Sequence, residues 1–235
     1  MAVSRREFVA RTGCLAAASA LPALSQVQSL PHGIGTSPDY IGPLPPSRLG
    51  TQRPLKGEEL VAASIIDKAP HGPTPLDIAR YFIEVANGVY GAEQVSYTSG
   101  WPTRWNPVIV TFFKATGTTP SGDVTPWCAA FVNWCFLRAT EHPATANASS
   151  GSFRCYGSPT SAPKVGDVVV FRRRDSYDQC LGNGHVGFFL SETDKAIEVL
   201  GGNQIDGHTG CHRISSKLIA KSGNILLLHS YRHNP

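Results

Sequence analysis

The chain lacks any basic run interleaved with aromatics. Its longest basic stretch, Arg172-Arg173-Arg174, is too short to track a phosphate backbone, which argues against nucleic acid as a partner. No internal repeat is present, so a stacked-repeat architecture is excluded. Regular zinc spacing is also missing. Cys180 with His185, or His208 with Cys211 and His212, form only loose sets, and the adjacency of Cys211 and His212 is awkward for two ligands on one ion. No metal and no cofactor are therefore expected. Of the 235 residues, 41 % are hydrophobic, which suits a packed soluble core. The 23 Gly and 18 Pro exceed their usual combined share of about 12 % and point to a loop-rich fold. The formal charge of +4 suits a polyanionic surface such as a cell envelope.

The N-terminus reads as a targeting segment. Arg5-Arg6 precedes a short apolar run from Leu15 to Leu24, and the pair resembles a twin-arginine signal. The run is too short to span a bilayer, so no integral membrane segment is expected after processing. Small residues at Ala23 and Ser25 place the cut after Ser25, giving a signal over 1–25 and export to the periplasm or beyond. Residues 26–56 read as a tether rich in Pro and Gly, and 57–235 as the catalytic domain. The mature chain keeps Cys128, Cys135, Cys155, Cys180 and Cys211. That odd count leaves at least one thiol unpaired within a monomer; if it is Cys128, the other four allow three pairings.

Helical patterns come first along the domain. Glu58 to Ala69 is one candidate. Thr74-Pro75-Leu76-Asp77 opens another, with a capping Thr, Pro at the first position and an acid in the first turn. Leu76, Ala79, Phe82, Ile83 and Ala86 follow a helical period. Asn106-Pro107 opens a third. A fourth helix carries Cys128, with Thr125 as expected N-cap, Pro126 first, and Cys128 third, on an apolar stripe with Phe131, Val132, Cys135, Phe136 and Ala139. Short β-rich runs follow at Asp167 to Phe171, His185 to Leu190, Ala196 to Leu200 and Ile225 to Tyr231. Helices and then consecutive strands predict an α+β fold, with helices packed on a small antiparallel sheet.

A thiol in the first turn of a helix sits at the positive end of the dipole and ionises more easily. It needs a partner to manage protons. His185, at the start of a strand and beside Gly184, is the candidate base. Asn203, after Gly201-Gly202, is the candidate third group that fixes the imidazole. The backbone N–H of Cys128 would serve an oxyanion hole, with a second donor from a side chain just upstream of the helix. Cys135 reads as a buried helix-face residue or a disulfide partner, and Asp167 as the shaper of a turn.

Trp127-Cys128-Ala129-Ala130-Phe131-Val132-Asn133-Trp134, then Gly-Asp-Val-Val-Val-Phe at 166–171, Gly-His-Val-Gly-Phe at 184–188 and Gly-Gly-Asn-Gln at 201–204 resemble the CHAP amidohydrolase/peptidase family of the papain-like, NlpC-type superfamily. The resemblance covers residues 74–231. It implies a papain-like core and a Cys-His-polar triad at Cys128, His185 and Asn203. It also implies cleavage of peptidoglycan amide bonds, by an N-acetylmuramoyl-L-alanine amidase or a stem-peptide endopeptidase acting as a monomer. Many relatives carry Glu two residues before the Asn, where this chain has Gly201; Glu198, an odd number of residues away, should face the other side of the sheet. Some relatives hold calcium through several acids ahead of the nucleophile; only Asp123 stands there, so no calcium site is expected. Two other readings compete: a non-catalytic envelope-binding module of the same fold, and a secreted cysteine protease.

Overall fold

The computed structural model describes residues 50–176, 179–207 and 209–233. The expected signal segment and the tether as far as residue 49 lie outside the described residues. Residues 50–55 pack on the domain: Gln52 bridges to Arg104 and Thr51 is buried.

Four α-helices precede the sheet. α1 (Lys56–Lys68) is held at its start by Glu58, whose carboxylate accepts from the Leu55 N–H at 2.7 Å and pairs with Arg104 at 2.6 Å. α2 (Pro75–Ala86) begins as its sequence dictates. The Thr74 hydroxyl accepts from the Asp77 N–H at 3.2 Å and Pro75 fills the first position. It buries Leu76, Ala79, Phe82 and Ala86 as expected, together with Ile78 and Val85. α3 (Pro107–Phe112) is capped by Asn106, which accepts from the Val108 N–H at 2.9 Å.

α4 (Cys128–Thr140) corrects the sequence reading at its start. The Thr125 hydroxyl accepts from the Ser121 N–H instead of capping the helix, and the helix begins two residues later than expected. Trp127 is the flanking residue, and Cys128 is the first helical residue, not the third. The expected one-sided stripe is also too narrow. Every residue from Cys128 to Phe136 is buried, because α2 and α3 cover one side of α4 and the sheet covers the other.

Six strands form one sheet in the order β1-β6-β2-β3-β4-β5, every neighbouring pair antiparallel. They are β1 (Ser158–Thr160), β2 (Val168–Arg173), β3 (Gly184–Glu192), β4 (Ala196–Ile205), β5 (His212–Ala220) and β6 (Leu226–His233). The helices pack on the face of Val168, Val170, Val186, Phe188, Leu200 and Ile214. A smaller core fills the opposite face around Val169, Phe171, Phe189, Ile197, Val199 and Tyr231. The α+β class with helices on an antiparallel sheet agrees with the sequence pattern. Two strands, β1 and β5, did not register as apolar runs.

Candidate active site

Cys128 stands at the N-terminal tip of α4, 4 % exposed and outside any disulfide. At this position its backbone N–H belongs to the first turn, whose amides have no partner within the helix. His185 is the second residue of β3 and is 7 % exposed. It pairs across the sheet with Phe171, which places its side chain on the face of the smaller core. Asn203 lies inside β4, not in a turn after it. Between Gly201 and Gln204 the strand spends three steps where β5 spends two, so one extra residue bulges out. Asn203 takes up the bulge in a left-handed conformation, φ 59°, which Asn tolerates better than most residues.

Cys128, His185 and Asn203 all line one cavity of about 630 Å³. The expected trio therefore shares a single space, with the thiol from the helical layer and the other two from the sheet. Ser150, Asn183 and Lys217 line the same cavity and were not singled out in the sequence; Gln204 and His212, which also line it, stood out only within a motif and a loose metal set. The signal of Ser150, Asn183 and Lys217 was weak because β5 and the segments that carry the other two have no apolar pattern. Upstream of α4 the residue that lines the cavity is Pro126.

The two glycines before Asn203 are explained by contact. A Cβ on Gly202 would lie 2.4 Å from the Trp127 ring and 2.9 Å from Phe131 Cβ. Only a bare Cα lets β4 pass this close to the first turn of α4, which carries Cys128. A Cβ on Gly201 would lie 2.9 Å from Gln204 Nε2 and 3.5 Å from His185 Nε2. Space that an acid at 201 would occupy is thus taken by the Gln204 amide and one edge of the imidazole. The bulge reverses the alternation of β4 and turns Gln204 inward. There its amide donates to the Val199 carbonyl at 3.1 Å and accepts from the Ser215 hydroxyl at 3.0 Å. His185 Nε2 is sealed from solvent and makes no hydrogen bond among the described residues. Glu198 points to the sheet face opposite Val199, where the Ser191 and Ser216 hydroxyls donate to its carboxylate.

Burial pushes the His185 imidazole down to about 4, and the positive charges of Lys217 and His212 add to the effect. The ring is therefore neutral at physiological pH and has a lone pair to accept a proton. His212 hydrogen-bonds the backbone of Asn203 and so braces the bulge.

Neighbouring polar groups have structural work. The short 3₁₀ turn Ser150–Cys155 docks on the β2–β3 loop: the Ser149 hydroxyl and Gly151 N–H reach the Gly182 carbonyl, and Arg154 donates to the carbonyls of Leu181 and Asn183. The Cys155–Cys180 disulfide fastens the same contact, directly ahead of Gly184-His185. Asp167 accepts from the Lys164 N–H and pairs with His233, shaping the entry to β2 as expected. Asp123 accepts from the N–H groups of Trp101 and Asn106, and its burial raises its carboxyl to about 7. Cys135 is a fully buried thiol on α4, and Trp127 and Trp134 belong to the core. Among the described residues no group of three or more His, Cys, Asp or Glu side chains is placed to hold a metal ion.

Residues 119–203 match the family model described as CHAP domain. The matched stretch begins in the loop ahead of α4 and ends on Asn203, so it contains all three candidate residues. Comparison with curated proteins and with solved structures yields no significant match.

Proposed function

We propose that this CHAP-type domain is a cysteine hydrolase of peptidoglycan amide bonds, with Cys128 as nucleophile, His185 as base and Asn203 as the neutral third member. CHAP domains are hydrolase domains associated with peptidoglycan, which supports the reaction class. One observation carries the assignment to residues: a thiol at a helix N-terminus and a buried, neutral imidazole open into the same cavity.

The chemistry follows from those groups. The Cys128 thiol gives its proton to the imidazole as sulfur bonds to the amide carbon. The Cys128 N–H faces the oxygen that gains charge. The C–N bond then breaks, and the imidazolium returns its proton to the departing amine. Water, deprotonated by the neutral ring, hydrolyses the thioester and restores the thiol. A low imidazole pKa makes the resting pair thiol and imidazole, with the proton moving as the substrate is attacked. In this scheme the twin-arginine-type N-terminus carries the protein to the envelope, where its substrate lies.

Purified sacculi digested with the wild-type protein should release muropeptides detectable by mass spectrometry, and Cys128→Ala should release none. Equal release by both proteins would remove Cys128 from the reaction.

A second reading has one observation in its favour. Among the described residues His185 Nε2 makes no hydrogen bond, and Gly201 stands where an acid could have supplied one. A non-catalytic envelope-binding module would tolerate that. The alkylation rate of Cys128 separates the two: a retired thiol reacts slowly at every pH, whereas a working one accelerates as His185 loses its proton.

A further inference from the structure

The cavity is one-sided in charge. Among the described residues no Asp or Glu lines it, while Arg173 and Lys217 do. The two cations differ. Arg173 already pairs with Asp175 at 3.1 Å near solvent. Lys217 forms no ion pair among the described residues; its ammonium donates to the Ile205 carbonyl at 2.8 Å. An ammonium has three N–H donors, so two remain for a ligand.

Lys217 also faces the right way. On β5 it pairs directly with Val199 of β4, so both side chains stand on the smaller-core face, the face that carries His185. It lines the same cavity as His185 and Cys128. Beyond it the cavity turns apolar, with Ile219, Ala220, Ile225 and Leu226. Ile225 is 66 % exposed, an apolar surface left open on the same cavity.

We propose that Lys217 anchors a free carboxylate of the substrate, so that the cleft takes a short peptide whose acid group, flanked by an apolar side chain, lies near the amide attacked by Cys128. This rests on the hydrolase reading of the same cavity and narrows it to stem-peptide substrates with an unblocked acid. An acid group entering a cavity without acids meets no repulsion there, and its contact with the ammonium is charge-assisted.

The test uses a synthetic stem tetrapeptide as the free acid and as its C-terminal carboxamide. Each is assayed for cleavage and, separately, for protection of Cys128 from iodoacetamide, a readout that needs no turnover. Wild type should favour the free acid about tenfold or more in both assays. Lys217→Met should erase the preference by weakening the acid alone, and Lys217→Arg should keep it. Lys217 is exposed, so both variants should match the wild-type melting temperature. A preference that survives in Lys217→Met, or equal treatment of acid and amide by wild type, overturns the anchor. Protection by the free acid that depends on Lys217 without any cleavage upholds the anchor and removes the hydrolase reading.

Discussion

His185 ties the chemistry of the site to the stability of the fold. Its folded pKa of about 4 lies below the ordinary value of 6.5 because the buried ring resists charge. Between those values the unfolded chain binds more protons than the folded one, so stability is lost as pH falls from about 6.5 towards 4. The full shift corresponds to about 3 kcal/mol. Asp123 works in the opposite sense. Its carboxyl is raised from 3.8 to about 7, which favours the fold as pH falls through that range. The two overlap, so the His185 contribution must be read as a difference. Urea denaturation of wild type and His185→Gln at pH 7 and pH 4.5 should show the wild type losing about 2 kcal/mol more on acidification. Equal losses would mean that the ring is not buried neutral. Reactivity should follow the same group. The acid limb of Cys128 alkylation should move to higher pH in Lys217→Met, because removing the cation lets the ring hold its proton more easily.

At the scale of elements, the meeting of α4 and β4 decides whether the site forms. Gly202→Ala would drive a methyl into the Trp127 ring, 2.4 Å away, and the strand or the helix tip would have to shift. A destabilisation of about 1–3 kcal/mol is expected, with loss of muropeptide release out of proportion to the loss of fold. Thermal melts and sacculus digestion, run in parallel, check both parts. A variant with wild-type activity would show that the contact does not position Cys128. Much of this architecture was legible beforehand. Thr74-Pro75 and Asn106-Pro107 start helices because their capping chemistry is local. Thr125-Pro126 carries the same signal but does not act on it, since the Thr125 hydroxyl is taken up by the Ser121 N–H in the preceding turn. β5 was illegible because its sequence, His-Arg-Ile-Ser-Ser-Lys-Leu-Ile-Ala, is largely exposed and gains order by pairing with β4. The bulge was illegible for a different reason. Gly-Gly-Asn reads as a turn, and only the register against β5 reveals that the strand continues and turns Gln204 inward. The three candidate residues were readable because each sits where a local signal marks it; Lys217 was not, because its role depends on which strand lies opposite.

Across the whole molecule, the proposed nucleophile Cys128 belongs to the helical layer and the proposed base His185 to the sheet, so the geometry of the candidate site depends on how the two layers dock. α4 contacts β3 and β4 through its buried face, while the loop leading into His185 is tied back by the 150–155 turn. That tie combines Arg154, two contacts to the Gly182 carbonyl and the Cys155–Cys180 disulfide, whose partners are 25 residues apart in sequence. The disulfide also fits an oxidising destination, in keeping with the proposed export. Closing a loop of this length restricts the unfolded chain and contributes about 3 kcal/mol in the chain-entropy account. Removing it should therefore act on the fold and on the placement of His185 together. A Cys155→Ser, Cys180→Ser double variant should unfold at lower urea by about 2–4 kcal/mol. Its amides at Gly182 to His185 should exchange with solvent faster than those of β4, because the released loop lies on the base side of the cleft. Hydrogen-exchange mass spectrometry separates this outcome from uniform loosening. Equal acceleration in both strands would mean that the disulfide supports the molecule at large and does not hold His185 in place.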